Sequence, residues 1–185
     1  MTVELLFVQG GGAGAHVADR LLADGLTRAL GVGFRVHYPA MPGEADPDPA
    51  LWKTAIAEAL ARTRAAVLVA HSAGAAIVAD MLAQRDQAPF EAVRGVLLLA
   101  PPYVGEGGWS LPGFHLDDPI SPPTAVEPPL LLLFGSADQT VPLDHAALYA
   151  RRFPRASIHR LGGGDHQFGG FMPRVAKAVR ALLRA

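Results

Sequence analysis

Ser72 lies in a sequence context that can turn a serine hydroxyl into a nucleophile. It is the centre of residues 70–74, Ala-His-Ser-Ala-Gly, which follow the apolar run 67–69 and precede a helical pattern. A serine hydroxyl attacks a carbonyl only when it is exposed and held next to a base. A sharp strand-to-helix turn exposes it if the residues two positions before and after are small, as Ala70 and Gly74 are. The usual pattern has glycine in place of Ala70, and the same context also suits a serine that merely begins a helix.

An aspartate and a histidine that could complete this chemistry follow two later predicted strands. Asp138 lies within residues 135–142, directly after the run 130–134, and His166 comes shortly after the three glycines at 162–164. An imidazole can take the proton of a serine hydroxyl, and a carboxylate bonded to its other nitrogen fixes the tautomer that this requires. Taken alone, each residue also suits an ordinary turn aspartate or an exposed loop histidine.

Asp165 is the alternative to Asp138 as the acid. It directly precedes His166, so its carboxylate would have to fold back on its own neighbour to orient the imidazole. We therefore predict Ser72 as nucleophile, His166 as base and Asp138 as the acid. His71, beside the serine, is predicted to have a structural role.

The order serine, aspartate, histidine is the order in which the α/β-hydrolase fold carries its catalytic residues. On these motifs the chain resembles a small α/β-hydrolase with a minimal cap, along essentially its whole length. The resemblance implies a single domain over residues 1–185, with a mostly parallel six-stranded sheet and helices on both faces. It also implies esterase-like cleavage of a small ester, thioester or amide through an acyl-enzyme, with neither cofactor nor metal.

A glycine run after the first apolar segment could hold the negative charge that such a reaction develops. In the family this place holds a His-Gly pair whose next residue donates its backbone N–H to the oxyanion. Here Gln9 replaces the histidine, so the resemblance makes Gly11 the donor and Gly12 the neighbouring candidate and a substrate contact. The second donor is expected to be the amide of Ala73.

The same glycine run has a rival interpretation as a dinucleotide-binding turn. Gly10, Gly12 and Ala15 fit the glycine spacing of that turn. The turn also needs an acid at the end of the second strand to bind a ribose. Residues 37–39 there are His-Tyr-Pro, and Glu44 comes late, so we favour the oxyanion interpretation.

The candidate residues require elements that deliver them to one edge of a sheet. Short apolar runs alternate with helical patterns, which predicts parallel strands covered by helices. The predicted strands are residues 3–8, 34–38, 66–70, 93–100, 130–134 and 156–161. The predicted helices lie between the first glycines and Gly31, near 49–60, at 73–84, at 143–152 and from Pro173 onward.

Two helices carry patterns specific enough to check. The first is predicted to bury one face, made of Val17, Leu21, Leu22 and Gly25. The second is predicted to begin at Asp48 and Pro49, an N-cap followed by proline at the first helical position. Trp52 lies on the apolar stripe of this second helix and is predicted to be a core residue.

Residues 101–128 depart from the alternation and are predicted to form a short cap loop. The segment is rich in proline, has no periodicity and carries aromatic residues. Loops of this length in compact domains are usually functional or mobile. Trp109 is the predicted substrate contact in this cap.

Composition narrows the classes of function. The 185 residues are 50% apolar and 18% charged with a formal net charge of −1, which is typical of a globular chain without a nucleic-acid partner. There are no cysteines, which excludes disulfides and thiolate chemistry. We expect no membrane partner, a cytoplasmic location and a small acyl substrate, and nothing indicates the oligomeric state. The alternative function is a hydrolase-fold binding or interaction protein without turnover.

Overall fold

The computed structural model describes residues 2–84, 88–111, 114, 116 and 128–184, which alternate between strands and helices. The strands are β1 (Val3–Val8), β2 (Phe34–His37), β3 (Val67–His71), β4 (Gly95–Leu99), β5 (Leu130–Gly135) and β6 (Ser157–Leu161). The helices are α1 (Ala15–Leu30), α2 (Pro49–Thr63), α3 (Ser72–Gln84), α4 (His145–Arg152) and α5 (Met172–Leu182), with a short 3-10 helix at Ala88–Phe90. None of the helices in these ranges is both long and apolar enough to cross a membrane.

The strands form one sheet in the order β2-β1-β3-β4-β5-β6, and every neighbouring pair is parallel. The resemblance predicted six strands, mostly parallel; the structure confirms this and makes the sheet wholly parallel. The chain runs outward from β1 to β2, then returns past β1 to β3 and continues in the opposite direction. Ligands of open α/β sheets bind at the carboxyl ends of the strands beside such a reversal. The loops that follow β1 and β3 carry the glycine run and Ser72.

Alternate residues of each central strand face opposite helical layers. In β3, Leu68 and Ala70 pack on the side of α2, α3 and α4, whereas Val67 and Val69 pack on the side of α1 and α5. Since both faces are covered, β3 and β4 are buried along their whole length. This is why these segments appear in the sequence as continuous apolar runs. The predicted arrangement of helices on both faces is confirmed.

Helix α1 buries a face that differs in part from the predicted one. Val17 and Leu21 are 73% and 74% exposed, so the prediction is wrong for them. Gly25 does face α5, because a Cβ at that position would lie 2.8 Å from Met172 Cγ. The buried residues are Asp19, Leu22, Ala23, Leu26 and Leu30. The buried residues Leu22, Leu26 and Leu30 recur every four positions, whereas the predicted face followed the spacing of Val17 and Leu21.

Helix α2 begins as predicted. Asp48 Oδ1 accepts hydrogen bonds from the amides of Ala50 at 2.8 Å and Leu51 at 3.1 Å, and Pro49 occupies the first helical position. Trp52 is fully buried, and its indole Nε1 donates to the Pro42 carbonyl at 2.6 Å. Its predicted place in the core is confirmed.

The predicted cap at residues 101–128 is described only in part, because residues 112–113, 115 and 117–127 lie outside the described residues. Its first part is anchored on α4. The Tyr103 amide donates to His145 Nδ1 at 2.8 Å, and the Trp109 ring meets the His145 ring edge-on with centroids 5.7 Å apart. Nδ1 can accept only when the ring is neutral, and burial lowers the pKa of His145, opposed by the charge of Asp144.

Candidate active site

Ser72 lies at the sharp turn that joins β3 to α3. Strand β3 ends at His71, and α3 begins at Ser72, whose φ of 50° is in the left-handed region. A residue with a side chain is strained in this region, so its surroundings must hold it there. The small neighbours make that possible. Ala70 is fully buried in β3, and any Cβ at Gly74 would collide with the carbonyl oxygen of Gln9.

The loop after β6 brings His166 to this turn by packing against the end of β5. The Ala137 amide donates to the Gly164 carbonyl at 2.8 Å, and a Cβ at Gly135 would collide with that same carbonyl oxygen. Gly163 supplies a φ of 76° within the loop. This close approach of two backbones requires glycine, and it places Asp138 beside His166.

Ser72, His166 and Asp138 form one continuous hydrogen-bonded chain. His166 Nε2 lies 3.1 Å from Ser72 Oγ, and His166 Nδ1 lies 2.8 Å from Asp138 Oδ2. The other carboxylate oxygen, Oδ1, accepts from the amides of Thr140 at 2.7 Å and Val141 at 2.9 Å. These bonds fix the carboxylate so that it accepts the Nδ1 hydrogen and leaves Nε2 free to face the hydroxyl.

Asp165 takes no part in this chain. Its Oδ1 accepts instead from the Gly169 amide at 3.0 Å, in the exposed turn that follows His166. The geometry therefore favours Asp138 over Asp165 as the partner of the imidazole.

Two backbone amides close to the turn have no hydrogen-bond acceptor among the described residues. Gly11 lies against Ala73, since a Cβ at position 11 would lie 3.1 Å from Ala73 Cβ and 2.6 Å from Pro47 Cγ. Within the described ranges neither the Gly11 nor the Ala73 amide has a hydrogen-bond acceptor, as is usual in the first turn of a helix such as α3. The Gly12 amide donates to the Glu44 carbonyl at 2.6 Å, which makes Gly11 the better-placed donor.

The glycine loop is held by a polar cluster that was not predicted from the sequence. Gln9 is fully buried; its Nε2 donates to Glu44 Oε2 at 2.7 Å, and its Oε1 lies 2.8 Å from His16 Nδ1. The Glu44 carboxylate also accepts from the His16 and Gly14 amides at the start of α1. The His16 amide does most to lower the pKa of Glu44. This carboxylate occupies the helix start where a dinucleotide-binding turn holds its phosphates, which disfavours that interpretation.

A second buried aspartate–histidine pair lies directly beside the first. His71 Nδ1 is 2.7 Å from Asp19 Oδ2, and the two side chains are 1% and 2% exposed. The same Oδ2 accepts from the Gly10 amide at 2.7 Å, and His71 Nε2 lies 2.9 Å from the His166 carbonyl oxygen. A structural role for His71 was predicted, but Asp19 was not singled out. The only signal for it was a carboxylate placed between apolar positions of a helix.

The arrangement combines a hydroxyl, an imidazole and a carboxylate in one hydrogen-bonded chain, with two backbone amides nearby, and acyl transfer uses this set of groups. Across residues 2–84, 88–111 and 128–184, no cluster of three or more histidine, aspartate or glutamate side chains is placed to hold a metal ion.

The sequence matches a known family of proteins over most of its length. The sequence pattern of the serine hydrolases matches residues 25–167. This chain belongs to the serine hydrolase family. The matched region contains Ser72, Asp138 and His166, whereas the glycine loop after β1 precedes it. No curated protein sequence matches the chain.

Solved structures resemble this serine hydrolase over nearly its whole length. The esterase domain of a Rhodothermus marinus protein has a TM-score of 0.66 and 19% identity, covering 98% of this chain and 86% of that one. An α/β serine hydrolase without a lid from Xanthomonas campestris has a TM-score of 0.63 and 19% identity, covering 98% and 81%. A YdeN-like hydrolase from Pectobacterium atrosepticum has a TM-score of 0.63 and 19% identity, covering 98% and 92%. At these identities the likeness shows the α/β-hydrolase fold.

In the serine hydrolase site, burial is the main influence on the charge of His166. Burial lowers the pKa of His166, and the His71 imidazole, with ring centroids 4.8 Å apart, lowers it further. The hydrogen bond and charge of Asp138 raise the pKa and oppose both effects. The net direction is downward, so the ring stays neutral to a lower pH than a free histidine would.

An NMR titration of the His166 ring proton should therefore give a pKa below the ordinary value of about 6.5. The His166→Gln variant assigns the resonance. Asp138→Asn should lower the value further, because it removes the partner that raises it. A wild-type titration above the ordinary value would mean that Asp138 outweighs burial.

Proposed function

We propose that this serine hydrolase is carboxylesterase-like and cleaves a small ester, thioester or amide through an acyl-enzyme. The observation that carries the proposal is the continuous chain from Ser72 Oγ through His166 to Asp138, built on a strained strand-to-helix turn. Membership of the serine hydrolase family supports it. The proposed reaction uses neither a metal ion nor a cofactor.

In the proposed first half-reaction, Ser72 Oγ attacks the substrate carbonyl while His166 Nε2 takes the hydroxyl proton. The imidazolium that forms is stabilised by Asp138, which keeps its own charge. The carbonyl oxygen becomes an oxyanion that accepts from the amides of Gly11 and Ala73. One such donor is typically worth about 3 kcal/mol in the transition state. The C–X bond then breaks, and the leaving group receives the proton from His166.

In the proposed second half-reaction, water attacks the acyl-enzyme. His166 Nε2 takes a proton from that water, and the same two amides hold the second oxyanion. Collapse of this intermediate breaks the bond to Ser72 Oγ, which recovers its proton from His166. The acid is released and the site returns to its starting state.

The proposed substrate contacts beyond the carbonyl are Gly12 and Trp109. Gly12 adjoins the proposed donor Gly11, and a Cβ there would meet nothing within 4 Å, so the backbone is open on that side. Trp109 lies in the loop after β4 and is half-buried against the core. An indole held in this way gives a fixed apolar surface, which suits a role in limiting the acyl chain.

Asp138→Asn should lower kcat on an activated ester by about 10⁴, because an amide at this position favours the wrong histidine tautomer. Asp165→Asn is the matched control: Asp165 lies one residue from the same imidazole, but its carboxylate bonds only the Gly169 amide among the described residues, and we expect a small loss. A large loss in the Asp165 variant with a small loss in the Asp138 variant would reverse the assignment of the acid.

Trp109→Ala should shift the preference among p-nitrophenyl esters toward longer acyl chains. Each additional buried methylene contributes about 0.8 kcal/mol, so the ratio of kcat/KM between neighbouring chain lengths should rise several-fold. Val32→Ala is the control, because Val32 is fully exposed between α1 and β2. An unchanged preference in Trp109→Ala would remove this residue from the pocket.

A further inference from the structure

Asp19 and His71 join three separate parts of the chain through one buried group. Asp19 comes from α1, and His71 is the last residue of β3, directly before Ser72. Asp19 Oδ2 accepts from the Gly10 amide at 2.7 Å, in the loop that carries Gly11. His71 Nε2 reaches the backbone carbonyl of His166 at 2.9 Å. The pair thus contacts the backbone of the glycine loop after β1, the turn at Ser72 and the loop that carries His166.

The hydrogen-bond pattern restricts where the hydrogens of this pair can lie. A backbone carbonyl only accepts, so His71 Nε2 carries a hydrogen that it donates to the His166 carbonyl. Asp19 Oδ2 already accepts from the Gly10 amide, and an ionised carboxylate there requires a hydrogen on His71 Nδ1 as well. With a proton between Asp19 Oδ2 and His71 Nδ1, all three hydrogen bonds are made.

Fold stability alone is a weak explanation for such a pair. Removing a carboxyl group and an imidazole from water is costly, and well-packed apolar residues of similar volume are often at least as stabilising. What apolar residues cannot do is fix the position of a backbone amide and a backbone carbonyl. Gly10 also packs closely against the turn at Ser72, since a Cβ at Gly10 would lie 3.2 Å from Ser72 Cβ and 3.4 Å from His71 Nδ1. Small movements of this pair would therefore be transmitted to Ser72 and to its neighbours.

We propose that Asp19 and His71 are positioning residues that set the distances between the turn at Ser72, the glycine loop after β1 and the loop that carries His166. The inference rests on the proposed hydrolase function and adds residues to it that touch neither the substrate nor the reacting atoms. Misplacement of catalytic groups by about 1 Å can cost a factor of about 100 in rate.

Amide substitutions at position 71 separate the two bonds of the ring. The amide nitrogen of asparagine is as many bonds from Cα as Nδ1 of histidine, and that of glutamine as many as Nε2. His71→Asn therefore keeps a donor for Asp19 and loses the bond to the His166 carbonyl. His71→Gln keeps a donor for that carbonyl and loses the bond to Asp19.

The experiment measures kcat and KM on a p-nitrophenyl ester, together with the thermal midpoint of each variant. We expect His71→Asn to lower kcat by about 10- to 100-fold with little change in KM. His71→Gln should retain several-fold more turnover than His71→Asn. Equal kcat in the two variants, whether high or low, would overturn the positioning role, because a general loss of stability does not distinguish the two ring nitrogens.

Asp19→Asn is the second variant and Asp80→Asn its matched control. An asparagine at position 19 can place its Oδ1 where Asp19 Oδ2 lies, but a neutral amide oxygen is a weaker acceptor for the Gly10 amide and the His71 ring, so kcat should fall while KM stays near the wild-type value. Asp80 is an equally buried carboxylate in α3 whose ion pair is with Lys53 of α2, and its amide variant should keep wild-type kcat. Equal kcat in the two amide variants would count against the proposal.

Ester turnover by the wild-type protein distinguishes a failure of this inference from a failure of the proposed function. Wild-type protein with no ester turnover would overturn the proposed function and the positioning role with it. An active wild type with indistinguishable His71 variants would overturn the positioning role alone.

Discussion

Ser72 has a φ of 50°, a conformation that costs a residue with a side chain about 1–3 kcal/mol. The neighbouring structure must therefore hold the backbone in this conformation. Strand β3 holds one side of the turn and α3 holds the other. Helix α3 can approach β1 only because Gly74 has no side chain to meet the Gln9 carbonyl. Gly11 in the loop after β1 also lies against Ala73. The strain at one residue and the proposed oxyanion site are therefore two consequences of the same packing.

A second close approach of backbones sets the position of the base. Gly135 at the end of β5 packs on the Gly164 carbonyl, and the Ala137 amide bonds to it. Asp138 and His166 thus belong to two loops whose backbones are in direct contact, in addition to the hydrogen bond between their side chains. The parallel sheet makes this possible, since the carboxyl ends of its strands share one edge.

The residues proposed to react could be predicted because each lies in a short segment that follows a strand of the parallel sheet. Asp138 and His166 are such cases, and their order along the chain narrowed the fold to one family. The supporting polar contacts could not be predicted in this way. Asp19 pairs with His71 across fifty-two positions, and no local pattern indicates such a partner.

The most direct test of the account is labelling by a fluorophosphonate, which reacts with an activated serine. The account predicts a single adduct, mapped by mass spectrometry to the peptide that contains Ser72, and no adduct in Ser72→Ala. Labelling should weaken in His166→Gln, because the base that activates the hydroxyl is gone. A label on another residue, or folded protein that remains unlabelled, would contradict the account, and the latter would favour a hydrolase-fold binding protein without turnover.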